Sequence, residues 1–184
     1  MATIDNQSAI IEAGHPRSTA AIAGHPVHAA VVPFPIVCFT LVLVTDVLFW
    51  RTNNLMWQNF SSWLLFAGLI GGGLAAIFGA IDLLVRPSVR RQRPAWLHGV
   101  GNVVVLALAF LNSLVHSGDG WTGVVPWGLT LSAVTVLLLI VTVWLGRSLV
   151  YRHGVGVSAP VPDAVVMESR TTAPARRMGG VRHD

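Results

Sequence analysis

Gly24-His25-Pro26-Val27-His28 opens the stretch that decides the fold, and AAVVPFPIVCFTLVLVTDVLFW, residues 29–50, completes it. The apolar run carries a single charge, Asp46, and is long enough to cross about 30 Å of hydrocarbon at about 1.5 Å per residue. Two histidines stand at its mouth. Three further runs of the same kind follow, so spans are predicted over 29–50, 60–85, 96–116 and 124–146. Pro33 and Pro35 lack amide hydrogens and should loosen the entry turn of the first span. Pro94 suits the first turn of the third.

Composition agrees. The chain is 53% hydrophobic and only 11% charged, with a mean hydropathy of +0.65. So few charges could hardly cover a soluble surface, which usually carries about twice that share. The lone cysteine, Cys38, falls within the first run and reads as a small buried side chain. Residues 1–23 hold no apolar core of signal-peptide length, so the first span is expected to be retained. They read as a flexible segment with a short helix over Ser8 to Ala13. Residues 24–154 read as one transmembrane domain and 155–184, rich in Pro, Ala and Arg, as a disordered tail.

The net charge is +4, and every one of the twelve basic residues is Arg. Arg86, Arg90, Arg91 and Arg93 share the second loop. With both termini cytoplasmic, this loop lies inside together with Arg17, Arg147 and Arg152, leaving Arg51 outside. That is the positive-inside pattern, and it points to a bacterial inner membrane. Trp50, Trp57, Trp63, Trp121 and Trp127 then fall near the outer interface, Trp96 and Trp144 near the inner one. The arginines are not interleaved with aromatics in any nucleic-acid module. No phosphate-binding glycine loop and no nucleophile–base pair marks a stand-alone enzyme.

Alternating spacings of four and three residues pick out one face of each span. The first gives His28, Val32, Pro35, Phe39, Val42 and Asp46. The second gives Ser61, Leu65, Gly68, Gly72, Ala75, Gly79, Asp82 and Arg86. The third gives His98, Asn102, Val105, Ala109, Asn112 and His116, and the fourth Gly128, Ser132, Thr135, Leu139, Thr142 and Gly146. Polar groups on these faces would lack partners in lipid, so the faces must turn inward. The expected fold is all-α: an integral membrane four-helix bundle, up-down-up-down.

The seam sorts by depth. His28, Asp82, His98 and Asn102 fall at the cytoplasmic end. Asp46, Asn112 and His116 fall at the outer end, where Asp46 and His116 are expected to be satisfied by water or, alternatively, to relay a proton. Two readings compete for the inner cluster. In one, its side chains fix helix register, with Asp82 and Arg86 pairing one turn apart. In the other, His28 and His98 are axial ligands of a b-type haem, or ligands of a metal ion, with Asp82 and Asn102 orienting the imidazoles. Glycines at 71–73 and 79 would make room for the macrocycle, and Arg86 and Arg90 with their neighbours would clamp its propionates. His25 either supports that ligand set or caps the helix.

Gly24-His25-Pro26-Val27-His28 with Val32-Pro33-Phe34-Pro35-Ile36 resembles the opening signature of a bacterial four-helix membrane family catalogued as domain of unknown function 2231. Gly79-Ala80-Ile81-Asp82, His98 with Asn102, Leu111-Asn112 and Tyr151-Arg152-His153-Gly154-Val155-Gly156-Val157 are similar to its later motifs. The resemblance covers roughly 24–157. Ala29 replaces a usual proline, and Pro33 stands where the family often has a further histidine. Some relatives are fused to Rieske or cytochrome domains, so the resemblance implies a redox setting and a Rieske or cytochrome partner. The expected function is thus a haem-binding or redox-associated membrane subunit. The alternatives are a non-catalytic membrane scaffold, and a divalent-metal or proton-handling protein using His25, His28, Asp82 and His98.

Overall fold

The computed structural model describes residues 21–22, 25–118 and 120–153. The helix expected over Ser8 to Ala13 and the tail from Val155 lie outside them. Four helices are long and apolar enough to cross a membrane. We label them α1 (Val27–Thr52), α2 (Leu55–Val85), α3 (Arg93–His116) and α4 (Trp127–His153). A two-residue antiparallel ladder, Ala21–Ile22 with His25–Pro26, precedes α1.

Local chemistry explains the boundaries. At Val32 the α1 ladder is interrupted by Pro33 and Pro35, yet Val32 keeps helical dihedrals and its amide reaches the His28 carbonyl at 3.0 Å. The prolines remove donors without turning the chain aside. The α1–α2 loop is only Asn53 and Asn54, much shorter than the sequence suggests. Asn53 adopts a left-handed conformation, φ 54°, which Asn tolerates better than most residues. The Asn54 side chain then accepts the Met56 amide at 3.0 Å, an N-cap that starts α2 at Leu55. Pro94 lies in the first turn of α3. One-turn helices, Pro87–Arg90 and Gly120–Val124, occupy the other two connections. Past its apolar run, α4 continues to His153. No Gly or Pro interrupts residues 147–153, and Arg147 lies over the Tyr151 ring at 5.6 Å.

Neighbouring helices run in opposite directions. From one end of the α1–α2 pair to the other, His28 meets Ala75, Phe39 meets Gly68 and Asp46 meets Ser61. In the α3–α4 pair, His98 meets Thr142 and Asn112 meets Ser132. The inward faces are those given by the four-and-three spacing. Phe39, Val42, Leu65, Val105, Ala109 and Leu139 form the central core. Around it the bundle presents bare apolar side chains, Trp63, Val103, Leu137 and Trp144 among the most exposed. A molecule with its hydroxyls inside and its tryptophans outside is built for lipid. Lipid gives no hydrophobic drive for the helices to associate, so close packing must supply it. Gly68 and Gly72 show how: a Cβ at either would lie 2.6 Å from Phe39 or Leu106.

Candidate functional site

Two polar centres occupy the seam, one on each side of the apolar core. The first holds His28 and His98, both half-buried, with ring centroids 6.2 Å apart and planes perpendicular. His28 Nδ1 donates to the Ala75 carbonyl at 2.8 Å, and His98 Nδ1 donates to the Thr142 carbonyl at 2.9 Å. A carbonyl only accepts, so both rings carry the proton on Nδ1 and keep the Nε2 lone pair. Each ring also packs on a glycine. A Cβ at Gly79 would lie 3.0 Å from His28 Cε1, and one at Gly146 would lie 3.0 Å from His98 Cε1. The Asn102 amide donates to the His98 carbonyl at 2.8 Å and sits 3.2 Å from His98 Nε2.

The remaining residues expected at this end are placed as follows. Asp82 and Arg86 are half-buried near the end of α2, where the Arg86 amide reaches the Asp82 carbonyl at 3.2 Å. Arg90 is exposed, and its carbonyl accepts the Trp96 indole at 2.9 Å. The backbone of His25 pairs with Ile22, and its side chain lies outside the description. Among the described residues no group of three or more His, Cys, Asp or Glu side chains gathers to hold a metal ion.

A porphyrin does not fit between the rings. The glycines expected to make room for it are already filled: Gly71 by Phe34, Gly72 by Leu106 and Gly79 by His28 itself, while Gly73 faces open space.

The second centre differs from expectation. Asp46 and His116 are not satisfied by water; their side chains are 0% and 1% exposed. His116 Nε2 lies 2.9 Å from Asp46 Oδ1. Ser61 donates to Oδ1 and Ser132 to Oδ2, both at 2.6 Å. Asn112 donates to Ser132 at 2.8 Å, and Thr45 lies 2.7 Å from Ser61. The three other long helices thus each contribute a partner to the one carboxylate that α1 carries. The burial has a definite cause. Gly120–Val124, between the third and fourth long helices, is a helical lid touching all four of them, with Val124 fully buried. The extra first turns of α2 bring in Gln58, whose amide donates to the His116 carbonyl at 3.3 Å. Thr45 and Gln58 are the members that the sequence did not single out. Placing the start of α2 at Leu55 puts Gln58 three residues before Ser61, on the same face.

Proton bookkeeping follows from the geometry. His116 Nδ1 lies 3.0 Å from the Asn112 carbonyl and must donate to it. The bond between Nε2 and Oδ1 therefore holds one shared proton. It is either an imidazolium–carboxylate pair or a neutral imidazole facing a carboxylic acid. Both forms are neutral overall, as low-dielectric surroundings demand. Asn112 Oδ1 and Thr135 Oγ1, also buried, have no partner among the described residues.

A lipid-facing four-helix bundle with buried polar centres defines the class, a polytopic membrane protein. The chain belongs to the family described as "Predicted membrane protein (DUF2231)", whose model matches residues 24–159. No curated protein and no solved structure matches it.

Proposed function

We propose that this is a proton-binding membrane protein whose working centre is the Asp46–His116 pair. The observation that carries this reading is the 2.9 Å contact between His116 Nε2 and Asp46 Oδ1, fully buried, on a carboxylate that α1 carries and that each of the three other long helices reaches with a donor. An ionisable pair at such depth is expensive unless neutral, and gaining or losing one proton changes its charge by one. Ser61 and Ser132 hold the carboxyl group in place beside the imidazole. We place the chain in a bacterial inner membrane with both termini cytoplasmic. The support is the clustering of Arg86, Arg90, Arg91, Arg93, Arg147 and Arg152 away from Arg51. The haem rests on the placement of His28 and His98 and the Rieske or cytochrome partner on the family resemblance alone, and the filled glycine positions weigh against the haem.

Infrared difference spectra of the detergent-purified protein, acid minus alkaline, test the reading. A carboxyl and imidazole band pair is expected that disappears in Asp46→Asn and in His116→Gln and shifts in Ser132→Ala. The absence of any Asp46-dependent band would leave a scaffold in which the seam serves packing alone.

A further inference from the structure

The two polar centres are built from equivalent positions of a repeated unit. His98 follows His28 by 70 positions, and His116 follows Asp46 by the same interval. In the second helix of each pair the interval is 67: Thr142 follows Ala75, and Gly146 follows Gly79. The contacts repeat with the residues. The His28 and His98 rings each donate to a carbonyl of the next helix and pack on the glycine four residues further along it. At the other end Ser61 bonds Asp46, and Gly128, its counterpart 67 positions later, packs against His116. The α1–α2 pair and the α3–α4 pair are therefore one hairpin used twice, related by an approximate two-fold axis along the bundle. Such parallel repeats recur among membrane proteins, whose binding sites lie at the repeat interface. His28 and His98 face each other across this axis.

We infer that His28 and His98 hold a single copper(I) ion on that axis, each through Nε2. Three observations converge. The carbonyl bonds fix both tautomers, leaving each ring one lone pair, on Nε2; at His98 the Asn102 amide faces that lone pair at 3.2 Å and yields it to the ion while keeping its bond to the His98 carbonyl. The spacing is right: an imidazole nitrogen lies about 1 Å from its ring centre, so two nitrogens each about 2 Å from one ion put the centroids about 6 Å apart. The observed separation is 6.2 Å. The donor set then chooses the ion. Imidazole suits copper and zinc, but no third His, Cys, Asp or Glu joins the pair among the described residues, and zinc sites want at least three protein ligands. Copper(I) accepts two. With neutral ligands a monovalent ion also brings the smallest charge into a half-buried membrane site. No redox step is implied; this is a binding site, separate from the Asp46–His116 pair.

The test is a titration of the metal-stripped, full-length protein in detergent. Copper(I) is supplied under reductant against a chelator of known affinity, and zinc(II) is titrated in parallel. One copper(I) per chain is expected. His28→Ala and His98→Ala should each weaken binding about 100-fold, and equally within about threefold, because two-fold equivalents contribute alike. His28→Cys, which keeps a soft ligand at the position, should retain binding. Thr130→Ala, beyond the apolar core and outside both centres, should leave it unchanged. Circular dichroism reports whether each variant folds, and X-ray absorption of the loaded protein should give two nitrogen neighbours. No copper(I) binding, two ions per chain, alanine variants that bind within threefold of the parent, or tighter zinc than copper at this pair would each overturn the assignment.

Discussion

At one end of the bundle two histidines sit side by side without bonding to each other. At the other, an aspartate and a histidine in the corresponding positions share a proton. The backbone frame is common to both ends, and enclosure separates them. The His28–His98 rings are half-buried and each is satisfied by a neighbouring carbonyl. The Asp46–His116 pair lies under the Gly120–Val124 lid, where neither group could stand alone. A polar side chain that has a helix carbonyl within reach can remain single and keep a lone pair for a ligand. A carboxyl group sealed from water, which no carbonyl can satisfy, has to find its donors among neighbouring side chains.

The sharpest way to break the contrast is Asp46→Ala. It leaves His116, Ser61 and Ser132 with donors aimed at nothing, and a loss of about 3–5 kcal/mol in unfolding free energy is expected. Denaturant titration in mixed micelles measures it. In the double variant with His116→Gln the loss should be smaller than the sum of the singles, because the two act as one unit. Next come the glycines under the imidazoles. Gly79→Ala and Gly146→Ala should each cost about 1–3 kcal/mol through ring displacement. They should cost alike, whereas Gly73→Ala, with nothing within 4 Å, should cost little. Thermal midpoints of the three variants read this comparison. Asn54→Ala removes the α2 cap and with it about 1 kcal/mol, visible as a lower midpoint. The smallest effect belongs to Thr135→Val. It replaces a buried hydroxyl that has no partner among the described residues, so stability should hold or rise by up to about 1 kcal/mol.

Much of this frame is legible in the residues. The four-and-three spacing brought out Phe39, Val42, Asp46, Ser61, Leu65, Val105, Asn112, His116, Ser132 and Leu139, all of them buried. It works because a membrane helix is apolar elsewhere, so each small or polar residue stands out. The pairing of His28 with His98 at one end was legible for the same reason. The burial of the Asp46 end was not. It depends on two connections that look polar or glycine-rich, as loops do. One became two extra helical turns through the Asn53–Asn54 reversal; the other became a lid held by Val124. Such choices are made by caps and by packing against the finished bundle, which periodicity does not encode. The glycines misled in the opposite way. Their spacing shows where something comes close, and only the packed structure tells that it is Phe34, Leu106 and an imidazole rather than a macrocycle.

The doubled hairpin has one more consequence. Each unit crosses the membrane twice and returns to the face it left, so the units are stacked in parallel rather than inverted. Carriers built from inverted halves exchange the roles of inside and outside by swapping the shapes of those halves. That exchange is closed to this architecture. The face bearing His28 and His98 and the face bearing Asp46 and His116 are permanently different, with Phe39, Val42 and Leu65 as the divide between them. Any directionality the protein has is written into the chain itself, as a polarity that no rearrangement of its two halves can reverse.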